Sequence, residues 1–350
     1  MDNTGQFKYP FDSLIENWVE EKKIPAAVLD VSVGNRFRFQ KAYGSWGNSQ
    51  GKHAASLDTL FDLASLTKVA VTLPAALVLI SEGKLQLEDK VTMHLPRFRH
   101  REVTIRHLLM HASGLPDDLG PRPWSAVGRD VIGEAYGEEL LFTPGSRTLY
   151  SDLGMILLAE IISRLSGEPL DRLARRLVFD PLGMETARFR PEGAWKERAA
   201  ATEMVEGQFI SGEVHDEKTH QMGGVSGSAG LFSAAEDMYK YAKYWLNPEQ
   251  GRLAIAPELL KECVAHPLQT RGIGWEMWNG TDPVSCGQYF SPGSFGHNGS
   301  TGTSLWIDPE RELTVVFLTN IVHNGQSGLL RTVRPMLHDA VYTSLFGGKC

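Results

Sequence analysis

Ser65-Leu66-Thr67-Lys68, opening the apolar run from Val69 to Ile80, is the stretch on which the reading of this 350-residue chain turns. On a helix, residues three apart share a face, so the Ser65 hydroxyl and the Lys68 amine become neighbours. Serine is a poor nucleophile until something takes its proton, and a desolvated lysine held against it can do so. The pattern is not selective by itself, since roughly one match is expected by chance in a chain of this size. Ser81-Glu82-Gly83-Lys84 is a second match at the end of the same run. There Gly83 and the flanking charges read as a helix C-terminus. The surrounding elements have to choose between the two.

Upstream, Phe11, Leu14, Ile15, Trp18 and Val19 recur at helical spacing, and Lys22-Lys23 before Pro25 closes that helix. Two strand-like runs, Ala26 to Val33 and Arg36 to Gln40, flank Gly34-Asn35 and predict a hairpin. Downstream the pattern is mainly helical as far as about Arg188, with its stronger pieces at Ser65–Ser81, Thr104–Met110, Leu153–Leu165 and Asp171–Leu177. Gly114-Leu115-Pro116, Thr143-Pro144-Gly145 and Asp180-Pro181-Leu182-Gly183 break it. A glycine-rich segment, Gly223 to Gly230, leads to Ser233-Ala234-Ala235-Glu236, which has the form of a capping box for a helix through Tyr244. Thr303–Ile307 and Leu313–Thr319 then flank Asp308-Pro309-Glu310-Arg311 as a second hairpin, before a last helix from about Leu329 to Leu345.

Strands therefore lie near both ends of the chain and helices fill the middle. The expected fold is α/β (α+β): one antiparallel sheet built from N- and C-terminal strands, the first and last helices on it, and a mainly helical lobe. It reads as a single catalytic domain, with the sheet-bearing part at about 8–75 and 220–350 and the helical part at about 76–219.

A hydrophobic share of 42% supplies a substantial core, and a net charge of −7 carries no nucleic-acid footprint. The densest basic stretch, Arg97-Phe98-Arg99-His100-Arg101, reads as a solvated loop. Met1 to Gln6 has neither a basic n-region nor an apolar h-region, so no signal peptide is expected. The run Val69 to Ile80 is too short to span a bilayer and contains Pro74. Cys263, Cys286 and Cys350 are odd in number and far apart, which fits a reducing, cytoplasmic location and no disulfide framework.

An activated serine still needs a proton shuttle for the leaving group and donors for an oxyanion. Two short motifs could provide them: Tyr150-Ser151-Asp152 before the helix at Leu153, and His297-Asn298-Gly299-Ser300 before the strand at Thr303. Taken in order, Ser65-x-x-Lys68, Tyr150-x-Asp152 and His297-x-Gly299 resemble the triple signature of the serine β-lactamase and penicillin-binding-protein superfamily. The tyrosine form of the second motif is similar to class C β-lactamases, DD-peptidases and their related esterases. Phe61-Asp62-Leu63-Ala64, Glu82-Gly83-Lys84-Leu85, Arg106 to Leu115 and Pro181-Leu182-Gly183-Met184 resemble the segments between those motifs, so the likeness runs from about Asp12 to Ile321.

The resemblance implies acyl transfer. Ser65 attacks a carbonyl, Lys68 and Tyr150 share the base role, and the backbone N–H groups of Ser65 and Ser300 form the oxyanion hole. Asp152, His297 and Gly299 belong to the binding side, and neither cofactor nor metal is implied. Asp152 stands where the family usually has Asn, and a carboxylate there would hold a nearby lysine cationic. His297 stands where β-lactamases usually have Lys, and a histidine is charged only part of the time. Both changes shift the expected substrate from penicillins alone toward esters, amides and peptides, with β-lactam acylation retained. The other class of reading is a catalytically slow penicillin- or cell-wall-peptide-binding sensor on the same fold.

Rival assignments are weaker. His323-Asn324-Gly325 repeats the third motif but follows a strand rather than leading into one. Tyr150 taken alone reads equally as a cap or core tyrosine. His215-Asp216-Glu217 with His220 lacks a metal-ligand spacing and reads as a polar loop at the site rim. No phosphate loop occurs. Trp275 and Trp278 line either the cleft or the core.

Overall fold

The computed structural model describes residues 8–48, 51–281 and 284–347, so Met1 to Gln6 and Cys350 lie outside the described residues. The hairpin forms as expected. Ala26–Val33 turns through Gly34, at φ +53°, into Phe37–Asn48, and glycine adopts that left-handed backbone at low cost. Ala26–Val33 also pairs antiparallel with Leu313–Thr319, from Ala27 opposite Thr319 to Val33 opposite Leu313. The two ends of the chain thus meet inside one sheet. Its order is Gly51–Ala54, Phe37–Asn48, Ala26–Val33, Leu313–Thr319, Ser304–Asp308, Phe295–Asn298, Glu276–Met277.

Both faces of this sheet are covered, which is why its central strands are buried throughout. Leu29, Val31, Val315 and Phe317 point to one side, where they meet Phe11, Ile15 and Trp18 of the helix Pro10–Glu20 and Leu337 and Val341 of the helix Leu330–Phe346. Val28, Val316 and Leu318 alternate to the other side, against the segment after Ser65 and the helix Ala235–Leu246. Trp275 is a core residue there, with ring centroids 5.0 Å from Trp245 and 5.2 Å from Phe295. Trp278 is buried too, and its Nε1 donates to the Phe290 carbonyl at 2.8 Å.

Two local expectations need adjustment. The segment after Ser65 is helical from Leu66 to Ser81, as expected, but not regular throughout. Its entry makes tight i→i−3 turns, Lys68–Thr72 is a widened π turn closed by Leu73 N–H on the Lys68 carbonyl, and a regular α-helix follows at Leu73–Ser81. Pro74 explains the widening, because it offers no N–H to the preceding turn. The expected Ser233 cap is also absent. Ser233 is spent in the buried strand Leu231–Ser233, which pairs with Phe61–Asp62 and Arg188–Phe189, and Ala234 takes the N-cap position. Glu236 pairs instead with Arg38 at 2.5 Å.

The middle of the chain supplies the helices. Asp152–Ser166 carries nine buried residues and packs on Ile105–Leu109. Among the described residues no helix is long and apolar enough to cross a membrane.

The glycine-rich segment packs tightly on this helix. A Cβ on Gly227 would collide with the Met155 carbonyl and come within 2.6 Å of the Ala159 methyl. Gly227→Ala should therefore destabilise the fold by about 3 kcal/mol, measured as a lower urea midpoint with an unchanged m-value.

Candidate active site

The serine sits on a turn clamped from several sides. Ala64, immediately before it, has φ +46°, a strained conformation for a residue with a side chain. The Asp62 carboxylate stabilises this by accepting the Ala64 N–H at 2.8 Å. Thr301 and Thr303 reach across from the turn after His297 and donate to the carbonyls of Asp62 (2.7 Å) and Leu63 (3.0 Å). Gly299 is required at this crossing, because a Cβ would strike the Leu63 carbonyl and the Thr303 hydroxyl. Behind the turn Arg334, buried on the last helix, donates to the Gly299 carbonyl and, at 2.9 Å, to that of Thr303. Burial lowers that guanidinium to about 10.

Lys68 is fully buried, and its Nζ donates to the Ser65 Oγ at 2.9 Å and to the Ser228 carbonyl at 2.9 Å. Asp152 Oδ1 lies 2.7 Å from the same nitrogen, in ion-pair contact. An ammonium has three donors and no acceptor, so three acceptors around Nζ describe a cation. Burial opposes that charge, but Asp152 and then Tyr150 outweigh it and hold Lys68 above the ordinary lysine range.

Tyr150 completes the cluster, with Lys68 Nζ 5.0 Å from its ring centroid. Burial pushes its hydroxyl up, while Lys68 and hydrogen bonding to Ser65 pull against that. Two imidazoles flank the phenol, His111 at 4.5 Å and His297 at 5.8 Å between ring centroids. The Ser151 N–H donates to His111 Nδ1 at 3.1 Å, which leaves the neutral ring's proton on Nε2. His297 Nδ1 faces the Asn298 carbonyl at 3.0 Å, so its proton is on Nδ1 and Nε2 keeps a lone pair. Burial first, and Arg271 and Lys68 next, hold both rings far below the ordinary histidine range. The expectation that His297 is charged part of the time is corrected: it is neutral. The permanent cation at this edge is Arg271, whose guanidinium lies 5.3 Å from the Tyr150 ring centroid.

Ser300 is exposed and opens onto a cavity of about 410 Å3 that Asp118, Asp216 and Lys218 also line. A larger cavity of about 630 Å3, between Trp124, Lys196 and Phe209, holds none of these groups.

A sequence profile of the Beta-lactamase family matches residues 11–338. The chain belongs to that family. It is 31% identical to a putative D-alanyl-D-alanine carboxypeptidase of Escherichia coli K12, over 89% of this chain and 82% of the relative. It is also 31% identical to an N-acetylmuramyl-L-alanine amidase of Bacillus subtilis strain 168, over 85% of this chain and 78% of that one. The solved structure of an octameric penicillin-binding protein homologue from Pyrococcus abyssi superposes with a TM-score of 0.75 at 21% identity, over 100% of this chain and 78% of that chain, which shows the shared fold. As a member of the family the chain is a serine hydrolase.

The structure gathers Ser65, Lys68, Tyr150, Asp152 and His297 into one cluster, with Gly299 and Ser300 on the turn that closes it. The rival motifs at Ser81 and His323 lie elsewhere, while the polar loop at His215 and Asp216 lines the Ser300 cavity, at the rim where it was expected. His323 stacks on Phe209 and meets the Thr202 carbonyl at 2.9 Å. Ser81 lies in the last turn of its helix and accepts from the Ala256 N–H at 3.0 Å. In the polar loop, His215 pairs with Glu203 at 2.9 Å, Asp216 caps the helix Glu217–Gln221, and His220 stacks on Trp124 at 3.9 Å. Arg271, His111, Lys218 and Arg334 are participants that sequence reasoning missed. His111 lay in a segment recognised only for its likeness, and the others carried no local signal.

The neutral rings make a local prediction. The ring C–H resonances of His111 and His297 should not titrate between about pH 7.5 and 5.5, where an ordinary histidine takes up its proton. NMR of histidine-labelled protein, assigned with His297→Gln, checks this.

Proposed function

We propose that Ser65 is the nucleophile of an acyl-enzyme hydrolase acting on esters and on amides or peptides, with β-lactams as acylating agents. The observation that carries the reading is the 2.9 Å contact between the Ser65 hydroxyl and a buried Lys68 that shares its surroundings with Tyr150. In the acylation step the Lys68–Tyr150 pair, having first released one proton to solvent, takes the Ser65 proton as the Ser65 oxygen bonds to the carbonyl carbon. The carbonyl electrons move to oxygen, where the backbone N–H groups of Ser65 and Ser300 receive them. Collapse expels the leaving group, which takes the proton back from the pair, and water then cleaves the acyl-serine ester. Lys68 and Tyr150 titrate as one unit, because each lies in the field of the other. A full set of nucleophile, buried cation and phenol favours turnover over the sensor reading.

The whole chain acts as one catalytic unit in this reading, since the Ser65 turn, the Tyr150 turn and the His297 turn come from separate stretches of it. Free, buried Cys263 and Cys286 accord with the cytoplasmic placement. Arg271 favours a narrower substrate class, acyl compounds whose leaving group ends in a carboxylate. Neutral His297 presents a lone pair there and cannot attract an anion, so the guanidinium is the group that would hold one. The relatives named as carboxypeptidases act in keeping with that choice.

Ser65→Ala should abolish both turnover of a p-nitrophenyl ester and covalent labelling by a fluorescent penicillin, a loss of at least about 1000-fold. Intact-mass spectrometry reads the adduct, and labelling retained on another serine would remove the assignment. Arg271→Ala should raise KM about tenfold for acyl-dipeptides with a free C-terminal carboxylate. The same substrates capped as C-terminal amides should be unaffected.

A further inference from the structure

Lys218 is a buried lysine outside all three motifs, and its Nζ touches three carboxylates: Asp118 at 2.7 Å, Asp216 at 3.2 Å and Asp152 at 3.7 Å. Asp152 is thereby shared. One oxygen faces Lys68 at 2.7 Å and the other faces Lys218. A carboxylate with a single buried cation beside it would commit its whole field to that cation. Here a second cation takes part of it, and does so without touching Ser65. The three acids come from different stretches of chain. Asp118 follows the loop whose Pro116 carbonyl accepts the Ser151 hydroxyl at 2.6 Å, Asp152 opens the helix Asp152–Ser166, and Asp216 caps the short helix that carries Lys218.

We propose that Lys218 is a positioning residue for the nucleophile: it divides the Asp152 carboxylate with Lys68 and so keeps the Ser65–Lys68–Tyr150 cluster able to give up a proton. The proposal rests on Ser65 being the nucleophile. It supplies the reason an aspartate is tolerated where the family usually has asparagine. Asp152 alone would hold the Lys68 proton more tightly still, and Lys218 limits that hold. The other charged and titratable groups facing the cluster are Asp216 from the short helix, His111 and His297 on either side of Tyr150, and Arg271 at the open edge. Asp118 and Asp216 also contact Lys218, and Asp216 lies in the field of Lys68, so removing Lys218 acts on the cluster through Asp152, whose other oxygen touches Lys68, and through Asp216 as well.

The sign follows whichever of Lys68 and Tyr150 holds the critical proton. Loss of the Lys218 charge makes that proton harder to remove, and loss of the Asp152 charge makes it easier. The test is the pH profile of second-order inactivation by a neutral fluorophosphonate, with adduct formation at Ser65 followed by mass, in the full chain. In Lys218→Met the acid limb should move up by about one unit, a tenfold slower reaction at any pH below the limb, and the difference should vanish above it. Lys218→Arg should restore the wild-type limb. Asp152→Asn should move the limb down, and in that background Lys218→Met should shift it by less than half as much. A parallel offset at every pH, or an equal shift with and without Asp152, would show a structural lysine and overturn the proposal. Should Lys218→Met fail to fold by circular dichroism, Lys218→Gln, which keeps donors to Asp118 and Asp216, carries the same comparison. Absence of any Ser65 adduct in the wild type would instead remove the nucleophile assignment.

Discussion

A fully buried ammonium is the constraint around which this molecule is arranged. Removing a charge from water costs several kcal/mol unless partners replace the solvent. Lys68 finds them in Ser65, Ser228 and Asp152, which lie in three separate stretches of the chain. The glycine-rich segment exists to bring one of them in. Gly227 must lie flush on the helix Asp152–Ser166 for the Ser228 carbonyl to reach Lys68, and Thr72 secures that approach by donating to the Gly227 carbonyl at 2.7 Å. Disturbing any one of the three stretches leaves the charge short of a partner, so packing in the helical lobe and chemistry at Ser65 are not independent.

The sheet does the complementary task of fixing the nucleophile turn from the other side. Pairing the N-terminal hairpin with the C-terminal strands places the turn after His297 directly over Leu63 and Ala64. Thr301 and Thr303 then convert that adjacency into two hydrogen bonds, and Arg334 supports the turn from the last helix. A strained Ala64 persists because the surroundings over-determine it. The serine is thus held by elements from the N-terminal, middle and C-terminal parts of the chain, so the site forms only when the chain ends have met.

Much of this was legible in the residues. The hairpins and the first and last helices follow from strand and helical patterning, the pairing of the chain ends is only the most economical assembly of those strands, and the grouping of Ser65, Lys68 and Tyr150 follows from ordered motifs. What was illegible depends on tertiary competition. Ser233 has the local chemistry of a helix cap, yet strand pairing with Phe61–Asp62 claims it first. Arg271 and Lys218 sit in short elements without a recognisable motif, and only folding shows that one stands over Tyr150 and the other behind Asp152. The charge of His297 was misjudged for the same reason, because a motif specifies the residue but not the burial or the neighbouring cations that keep it neutral.

The two departures from the family pattern act on opposite sides of the cluster. Replacing a motif lysine by a neutral histidine takes a permanent charge from that position, while Arg271 returns one over the Tyr150 ring itself, 5.3 Å from its centroid. Replacing a motif asparagine by Asp152 adds an anion on the buried side, where it meets Lys68 directly. Together they draw positive charge inward toward the nucleophile and leave the rim to an arginine. On the proposed reading a substrate carboxylate would meet the planar fork of Arg271, which can bind it through two parallel hydrogen bonds, rather than the point charge of a lysine.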